Sequence, residues 1–408
     1  MTITDLIQSS VDSLNRTRGR SILTMLGIVI GILSVILVLS IGEAAQRYIL
    51  GQISAFGSDI IFVQNGPEVD ADQPSLFNKE SLTVRDVKKL QSYSWVSSIV
   101  GKLQLSDLVS AYGFDTNASI LGTMPDELNM NDIRVKEGSF ISTASVDGHA
   151  REVVLGYDIA DAAFGAENPI GKNVKIGGQG FRVIGVMEKA GSKGFTNVDK
   201  QVYIPVTAAL DLYNRKFLSQ ISIRSTLPLE DAKDRIRVAI RERHNIDNAE
   251  DDRTKDDFHT QTQEDLIKSS SQITNILQIL LTSIAAISVL VGGIGIMNIM
   301  YVAVTERTRE IGLRKSIGAR RSDILNQFLV ESIFLTVLGG IIGTLLGIGL
   351  SWIGIAIINS FQDGWTFAVS LRGVGLGIVV SAGIGVIFGY FPARRASGLS
   401  PIEALRFE

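Results

Sequence analysis

Four long stretches of the sequence carry no charged residue, whereas charged residues are dense between them. The uncharged stretches cover residues 22–42, 269–305, 332–362 and 373–393, and they are rich in Ile, Leu, Val and Gly. Because about 20 consecutive apolar residues allow a helix to span the hydrocarbon core of a bilayer, each stretch predicts a transmembrane helix. The pattern therefore predicts an α-helical membrane protein with four transmembrane helices.

A long segment, residues 43–270, separates the first two uncharged stretches. Residues 43–115 and 216–262 combine apolar strands with amphipathic helices, whereas residues 116–215 show short strands separated by turn residues. This segment predicts a large extracytoplasmic α/β domain with a β-rich insertion. The other predicted segments are an amphipathic helix (1–20), the first transmembrane helix (21–42), a stalk with the second transmembrane helix (263–305), a cytoplasmic segment (306–322), the third transmembrane helix (323–360), a short outer loop (361–372), the fourth transmembrane helix (373–392) and a cytoplasmic tail (393–408).

The basic residues predict the orientation of these helices. Arginine and lysine cluster in residues 1–20, in the segment between the second and third stretches, and in the tail, whereas the loop between the third and fourth stretches holds only Arg372. Because loops rich in Lys and Arg stay on the cytoplasmic side, we expect a multi-pass protein of the cytoplasmic (inner) membrane. Both termini and residues 306–322 are then cytoplasmic, and residues 43–270 lie outside. The clusters are Arg16, Arg18 and Arg20; Arg307, Arg309, Arg314, Lys315, Arg320 and Arg321; and Arg394, Arg395 and Arg406.

The first fourteen residues have apolar side chains at helical spacing, at Ile3, Leu6, Ile7, Val11 and Leu14. This pattern predicts an amphipathic helix that lies in the inner membrane interface. A helix that packs on a protein partner would show the same pattern.

The second transmembrane helix is predicted to begin well before the membrane. Thr262 and Asp265 have the spacing of a capping box, and no strong helix breaker follows before Thr305 except the Gly292, Gly293 and Gly295 region. A helix of about 42 residues is roughly 63 Å long, about twice the thickness of the hydrocarbon core. The excess predicts a stalk that projects outward and can transmit motion.

Small residues recur every four positions within the predicted spans. Such spacing lets helices approach closely in lipid, either inside one bundle or across a dimer. The helix-packing candidates are Gly27, Gly31, Gly339, Gly343 and Gly347. Glu331, at the start of the third span, could reach the interface or face a neighbouring helix.

Catalytic and metal-binding patterns are missing from the sequence. There is no cysteine, and the three histidines lack metal-ligand spacing. The segment Gly165–Lys172 resembles a phosphate loop but has one residue too many between its glycines. We therefore expect no catalytic residue, no metal and no cofactor in this chain. The net charge of -3 argues against nucleic acid as a partner.

The cytoplasmic segment between the second and third spans has the pattern of a short helix. Glu310 precedes Arg314 by four residues, which favours an ion pair. Ile311 and Ile317 offer apolar contacts, and Gly318 can end the helix. These features suit either a signal for membrane orientation or a docking surface for a partner.

Longer motifs in the same regions resemble the signature of MacB/FtsX-superfamily permeases. They are Met297-Asn-Ile-Met300 followed by Thr305-Glu-Arg-Thr-Arg-Glu-Ile-Gly-Leu-Arg-Lys-Ser-Ile-Gly-Ala319, then Phe391-Pro-Ala-Arg-Arg-Ala396 with Ser400-Pro-Ile-Glu-Ala-Leu405, and Ser21-Ile-Leu-Thr-Met-Leu-Gly-Ile-Val-Ile-Gly31. The resemblance covers all four spans and, more weakly, the external domain, which would match the family's porter-like and β-rich subdomains.

The resemblance implies a permease subunit of an ABC transporter, a dimer with two ATP-binding subunits that hold ATP and Mg. It implies that the permease transmits mechanical motion to drive efflux or export of a drug, peptide or lipid-like substrate. The further partners are a second permease copy, membrane lipids and, in some assemblies, a periplasmic adaptor. The resemblance also implies that the segment 306–319 is a coupling helix that docks on the ATPase. The implied ATPase-coupling residues are Glu306, Arg307, Arg309, Glu310, Ile311, Gly312, Leu313, Arg314, Lys315, Ile317, Gly318 and Ala319. The implied tail-docking residues are Pro392, Arg394, Arg395, Pro401 and Glu403.

Other functions remain open at this point. Lipoprotein-release permeases and regulators of cell-wall hydrolases share the plan of four spans. A membrane-anchored sensor or binding protein without an ATPase would need no docking surface. The best-known MacB chains carry a fused ATPase domain, so here we expect the ATPase to be a separate polypeptide.

Overall fold

The computed structural model describes residues 18–54, 59–68, 80–194, 196–248, 250–362 and 364–405, with side chains from residue 25 onward. The chain divides into two compact units, which we call the helical unit (Met1–Tyr48 with Ser271–Glu408) and the α/β unit (Ile49–Ser270). The amphipathic helix predicted for residues 1–20 lies outside the described residues except for its last positions. Arg16 and Arg406 also lie outside them.

The long helices of the structure are α1 (Arg18–Ser54), α8 (Gln263–Glu306), α10 (Arg321–Phe361) and α11 (Leu371–Gly398). Within the described residues these are the four helices that are long and apolar enough to cross a membrane, which confirms the four predicted spans. Two short helices, α9 (Thr308–Ser316) and α12 (Pro401–Leu405), follow α8 and α11.

The helices continue past the predicted ends of the spans. For example, α1 runs on from residue 42 to Ser54, and α11 runs on from residue 392 to Gly398. The reason is that good helix formers such as Glu43, Ala44 and Ala45 follow the apolar stretch, so the change in polarity does not end the helix.

Close contacts of α1 explain several glycines of the helical unit. A Cβ on Gly27 would lie 2.9 Å from Cα of Gly292, and one on Gly343 would lie 2.7 Å from the carbonyl oxygen of Val29. Gly31 contacts Val289 of α8, Gly339 faces Ile28 of α1, and Gly347 faces Ile36 of α1. These glycines therefore lie where α1 packs on α8 and α10, within a single copy of the chain.

The contacts between α1 and α8 extend along both helices. Gly42 faces Gln278, and the Gln46 side-chain amide donates to the Ser271 hydroxyl at 3.4 Å. Residue numbers rise along α1 as they fall along α8, so the two helices are antiparallel. The stalk predicted for α8 is therefore accompanied by α1.

The α/β unit is built on one ten-stranded sheet. The strands are β1 (Ile60–Asn65), β2 (Val96–Ala111), β3 (Phe114–Thr123), β4 (Val135–Gly138), β5 (Glu152–Leu155), β6 (Asn173–Ile176), β7 (Gln179–Met187), β10 (Gln201–Pro205), β11 (Gln220–Ser225) and β12 (Phe258–Thr262), with a separate pair, β8 (Ser192–Lys193) and β9 (Thr196–Asn197). The strand order of the sheet is β12-β1-β11-β2-β3-β10-β5-β7-β4, and β6 pairs with β2 and β7.

Helices cover this sheet and share its apolar core. They are α2 (Val84–Gln91), α3 (Glu127–Asn131), α4 (Thr143–Asp147), α5 (Tyr157–Phe164), α6 (Val206–Leu212) and α7 (Leu229–His244).

The long strand β2 joins the two parts of the α/β unit. Its residues up to Lys102 pair with β11, and those from Leu103 onward pair with β3. The start predicted for the β-rich insertion, at residue 116, falls inside β3. Since β2 and β3 form one antiparallel hairpin, the chain stays in the same sheet across this position. Tyr112 and Gly113 form the turn of this hairpin with positive φ angles of 47° and 86°, as in the two-residue turns that join antiparallel strands.

The stalk helix α8 is continuous over 44 residues, about 66 Å at 1.5 Å per residue. It begins with the predicted capping box. The Asp265 carboxylate accepts from the Thr262 backbone N–H at 2.9 Å, and the Thr262 hydroxyl accepts from the Asp265 N–H at 3.2 Å. The glycines at Gly292, Gly293 and Gly295 do not interrupt the helix.

Candidate docking site on the short helices

The short helix α9 is separated from α8 by one residue, Arg307, with φ of -102° and ψ of 14°. The predicted segment 306–319 is therefore not one helix, because Glu306 still belongs to α8. At its other end, the N–H of Gly318 donates to the Lys315 carbonyl at 3.1 Å, and that of Ala319 donates to the Arg314 carbonyl at 3.0 Å. Gly318 has a φ of 104°, so it ends the helix in a Schellman motif, as the sequence predicts.

Polar contacts with α10 hold one side of α9. Nη1 of Arg307 lies 3.2 Å from Oε2 of Glu331, which is buried. Arg314 donates to the Gln327 side-chain oxygen at 2.7 Å and to Glu310 at 2.6 Å. Glu331 therefore faces a neighbouring segment. A buried carboxylate needs such a cation, because removing a charge from water costs several kcal/mol.

Contacts with the tail hold the other side of α9. The Lys315 ammonium donates to the carbonyls of Ser397 at 2.5 Å and Leu399 at 2.7 Å, at the end of α11. Burial and the nearby Arg321 lower the pKa of Lys315. A Cβ on Gly312 would lie 2.7 Å from Cβ of Ala404 in α12, so the absence of a side chain at Gly312 lets the two short helices touch.

The structure thus brings together the two groups of residues that the resemblance singled out. Ile311 and Gly312 are buried in the contact, whereas Glu306, Arg309, Glu310, Leu313 and Ile317 are exposed. In the tail, Pro392 is buried within α11, Pro401 begins α12, Arg394 and Glu403 are exposed, and Arg395 lies over the Tyr301 ring at 5.7 Å.

Large apolar side chains remain exposed on these two short helices. Leu313 is 57% and Ile317 is 81% exposed on and just after α9, and Ile402 is 73% and Leu405 is 45% exposed on α12. We call these four side chains the α9–α12 apolar set. Exposed apolar side chains beside charged ones are typical of a surface that binds another protein. Ile402 and Leu405 belong to the tail motif but were not among the predicted docking residues. Gln327, Ser397 and Leu399 were not predicted either, because their contacts join segments that are separated in sequence.

The segment that resembles a phosphate loop forms a turn, and His149 and His259 contact nearby oxygen atoms. The segment Gly165–Lys172 is the turn between α5 and β6, with positive φ at Gly165 and Gly171. His149 contacts Asp211 at 2.6 Å, and His259 contacts the Gly66 carbonyl at 2.9 Å. No group of three or more potential metal ligands occurs among the residues that the structure describes.

Comparisons with known proteins identify families for most of the chain. A model of the MacB-like periplasmic core domain matches residues 21–253, and a model of the FtsX-like permease C-terminal region matches residues 282–401. The uncharacterized ABC transporter permease YknZ of Bacillus subtilis is 34% identical over 410 residues, which are 100% of both chains.

A second relative is longer than this chain. The macrolide export ATP-binding/permease protein MacB of Bdellovibrio bacteriovorus is 35% identical over 98% of this chain, which spans only 61% of that relative. Among solved structures, the periplasmic region of MacB from Actinobacillus actinomycetemcomitans is 20% identical. It covers 55% of this chain and 97% of its own, with a TM-score of 0.45.

Proposed function

Because the chain belongs to the family of MacB/FtsX-type ABC transporter permeases, we propose that it couples ATP hydrolysis by a separate ATP-binding subunit to movement of its α/β unit. The observation that carries this proposal is the contact between α9 and α12, which holds together the two helices that bear the α9–α12 apolar set. ATP and Mg would bind the partner subunit, not this chain.

The contacts of α9 allow a displacement of this helix to be transmitted to the membrane-spanning helices. Arg307 connects it to α8 through the backbone and to α10 through Glu331, and Lys315 connects it to α11. A partner that displaces α9 therefore acts on three spans together. Coupling through packed elements of this kind needs no substrate to pass between the helices.

The basic residues support a cytoplasmic position for α9 and α12. Arg309, Arg314 and Lys315 lie on α9, and Arg394 and Arg395 lie near the end of α11. Under the positive-inside rule, the ends of these helices face the cytoplasm and the α/β unit is extracytoplasmic. An ATP-binding subunit would then meet the α9–α12 apolar set on its own side of the membrane.

A second copy of the chain is the partner that α8 suits. Seven exposed apolar residues on α8 recur in alternating steps of four and three positions, which is the spacing of a coiled-coil seam. Ile276, Ile279, Leu281 and Leu290 are exposed on the same helix outside this spacing. Helix α8 is about 66 Å long, whereas the hydrocarbon core of a bilayer is only about 30 Å thick. Lipid therefore covers only part of this seam. The α8 seam is Ile273, Leu277, Leu280, Ile284, Ile287, Val291 and Ile294.

The transporter is proposed to move its substrate out of the cell. The printed name of one relative refers to macrolide export, and we extend export, of a drug, peptide or lipid-like substrate, to this chain as part of the proposal. A periplasmic adaptor is a further partner to test in that setting.

Co-purification tests the proposal. The tagged chain is extracted from its native membranes in mild detergent, and ATPase activity is assayed in the eluate. We expect an ATP-binding subunit to co-purify with the unaltered chain and to be lost from a Leu313→Asp/Ile317→Asp variant. A matched control is Val238→Asp, which places the same charge at an exposed apolar position of α7. Retention of the partner by the double variant, or its absence from every preparation, would contradict the proposal.

A further inference from the structure

Helix α7 of the α/β unit carries buried cations along one face. Lys233, Arg237 and Arg241 follow one another at intervals of four residues, and their side chains are 8%, 6% and 12% exposed. Residues four apart lie on the same face of a helix. Because burying a charge is costly unless it is paired, the partners of these cations indicate what the face holds.

Two of the partners lie at opposite ends of strand β12. Arg241 donates from Nε and Nη2 to the two oxygens of Asp256, at 2.7 and 2.6 Å, just before β12 begins at Phe258. Lys233 donates to Oδ2 of Asp265 at 3.0 Å, just after β12 ends at Thr262. One helix thus holds the strand at both ends through charge-assisted hydrogen bonds, which are the strong ones.

Asp265 also belongs to the start of the stalk helix. Its Oδ2 accepts from the N–H and the hydroxyl of Thr262, at 2.9 and 2.8 Å, which caps α8. Leu266, the next residue, packs against the core of the α/β unit. Since α8 then continues without a break to Glu306, any axial movement or rotation of α8 acts on Asp265.

Strand β12 lies at the edge of the sheet, so the contacts from α7 to Asp256 and Asp265 add to its attachment. Among the residues that the structure describes, β12 is an edge strand and pairs only with β1, from Ile61 opposite Thr262 to Asn65 opposite Phe258. An edge strand has backbone partners on one side only. The contacts from α7 therefore supply a second attachment at the point where α8 leaves the sheet.

We propose that the Lys233–Asp265 pair, backed by Arg241–Asp256, is the joint through which movement of α8 enters the α/β unit. Lys233 and Asp265 are then positioning residues for transmission. This inference rests on the proposed function, because it needs α8 to move when the partner subunit binds ATP. A purely structural role would stabilise the unit without affecting how it responds to nucleotide.

Hydrogen exchange measured by mass spectrometry separates these roles. The full-length chain, co-purified with its ATP-binding subunit, is compared with and without ATP. An ATP-dependent change of exchange in α9 shows that the ATP-binding subunit acts on the short helices. An ATP-dependent change in β12 shows that the movement of α8 reaches the α/β unit. Asp265→Asn keeps an oxygen that can accept from Thr262 but loses the charge that attracts Lys233. We expect this variant to keep the ATP-dependent change in α9 and to lose the change in β12.

A matched control comes from the next turn of α8. Lys268 pairs with Glu264 at 2.8 Å, and both side chains are exposed. Lys268→Met removes this exposed pair, which contributes little, so both ATP-dependent changes should remain. If Asp265→Asn raises exchange throughout the sheet without nucleotide, Lys233→Met and the charge-conserving Lys233→Arg replace it. Lys233→Arg should then keep the β12 response, and Lys233→Met should lose it.

The outcomes distinguish this inference from its premise. A β12 response that survives both Asp265→Asn and Lys233→Met would overturn the joint while leaving the proposed function intact. An unaltered protein that shows no ATP-dependent change in α9 would overturn the proposed function, and the joint with it.

Discussion

Glu331, buried at the start of the third span, lies 3.2 Å from Arg307, the single residue between α8 and α9. The pair joins the turn between two helices to the side of a third. Arg307 is 27% exposed at its side chain, whereas Glu331 is 9% exposed. The carboxylate therefore depends more on its partner than the guanidinium does, since less water reaches it.

Substitution of Glu331 is expected to destabilise the helical unit. Glu331→Leu leaves Arg307 without this carboxylate, and we expect a loss of about 1–3 kcal/mol, because water still reaches the guanidinium. The double variant Glu331→Leu/Arg307→Met should recover much of the loss, since both charges are gone. Thermal unfolding in detergent, arranged as a double-mutant cycle, measures the coupling. Additive losses in the double variant would show that the two side chains do not act as a pair.

Charge reversal on α9 is expected to weaken docking of the ATP-binding subunit. Made separately, Glu310→Arg breaks an exposed pair on α9, and Arg314→Glu breaks the same pair together with the hydrogen bond from Arg314 to Gln327 of α10. Because an exposed pair of this spacing contributes only about 0.3–0.5 kcal/mol to a helix, membrane insertion should persist while partner association and ATPase stimulation fall.

The control for these reversals is a pair of the same spacing elsewhere. Glu43 and Arg47 of α1 are four residues apart, 3.2 Å from each other and exposed. Glu43→Arg and Arg47→Glu should leave association unchanged. Equal effects of the reversals on α1 and on α9 would show that α9 has no special role in docking.

The sequence predicted the four spans because the membrane imposes a local pattern. A run without charge is visible in any window of about 20 residues. The capping box at Thr262 and Asp265 and the end of α9 at Gly318 are local in the same way, since each depends on neighbours within a few positions.

Strand β2 shows what local patterns do not predict. Its first part is buried on both faces against β11, and its second part alternates as it pairs with β3. The change of partner near Lys102 therefore interrupts the periodicity that would identify a strand. The contacts of Lys315 with Ser397 and Leu399 are hidden for a related reason, because they join segments about 80 residues apart in sequence.

The α8 seam predicts a specific pattern of cross-links between copies. The chain has no cysteine, so a single introduced cysteine can form a disulfide only with a second copy or another protein. Leu277→Cys and Leu280→Cys lie on the seam, and oxidation of membranes should give a covalent dimer of each. Ile279→Cys is a matched control, because Ile279 is exposed on the same helix but points away from the seam. Equal cross-linking at all three positions would contradict a seam of this register.

The α/β unit is expected to lose stability as pH rises above the ordinary range of histidine. His244 lies between two carboxylates, with Nδ1 2.8 Å from Asp257 and Nε2 3.3 Å from Asp86. The hydrogen bond with Asp86 raises the pKa of His244 above its usual 6.5; burial opposes this, and contact with Asp257 adds to it. Because the folded pKa lies above the unfolded one, the stabilisation is complete below about pH 6.5 and is lost as pH rises through the folded value.

Thermal unfolding across this pH range, followed in the full chain, measures the effect. His244→Gln should remove the decline above pH 6.5, because glutamine does not titrate. His149→Gln is the control, since His149 pairs with Asp211 on the surface, where both side chains are more than half exposed. Burial by itself raises the pKa of Asp86, but hydrogen bonds from His244 and Thr83 outweigh it and leave the pKa below the usual value. Stability should therefore also fall in acid, as Asp86 becomes protonated. A profile that is flat above pH 6.5 in the unaltered chain would show that His244 is not held protonated by its two carboxylates.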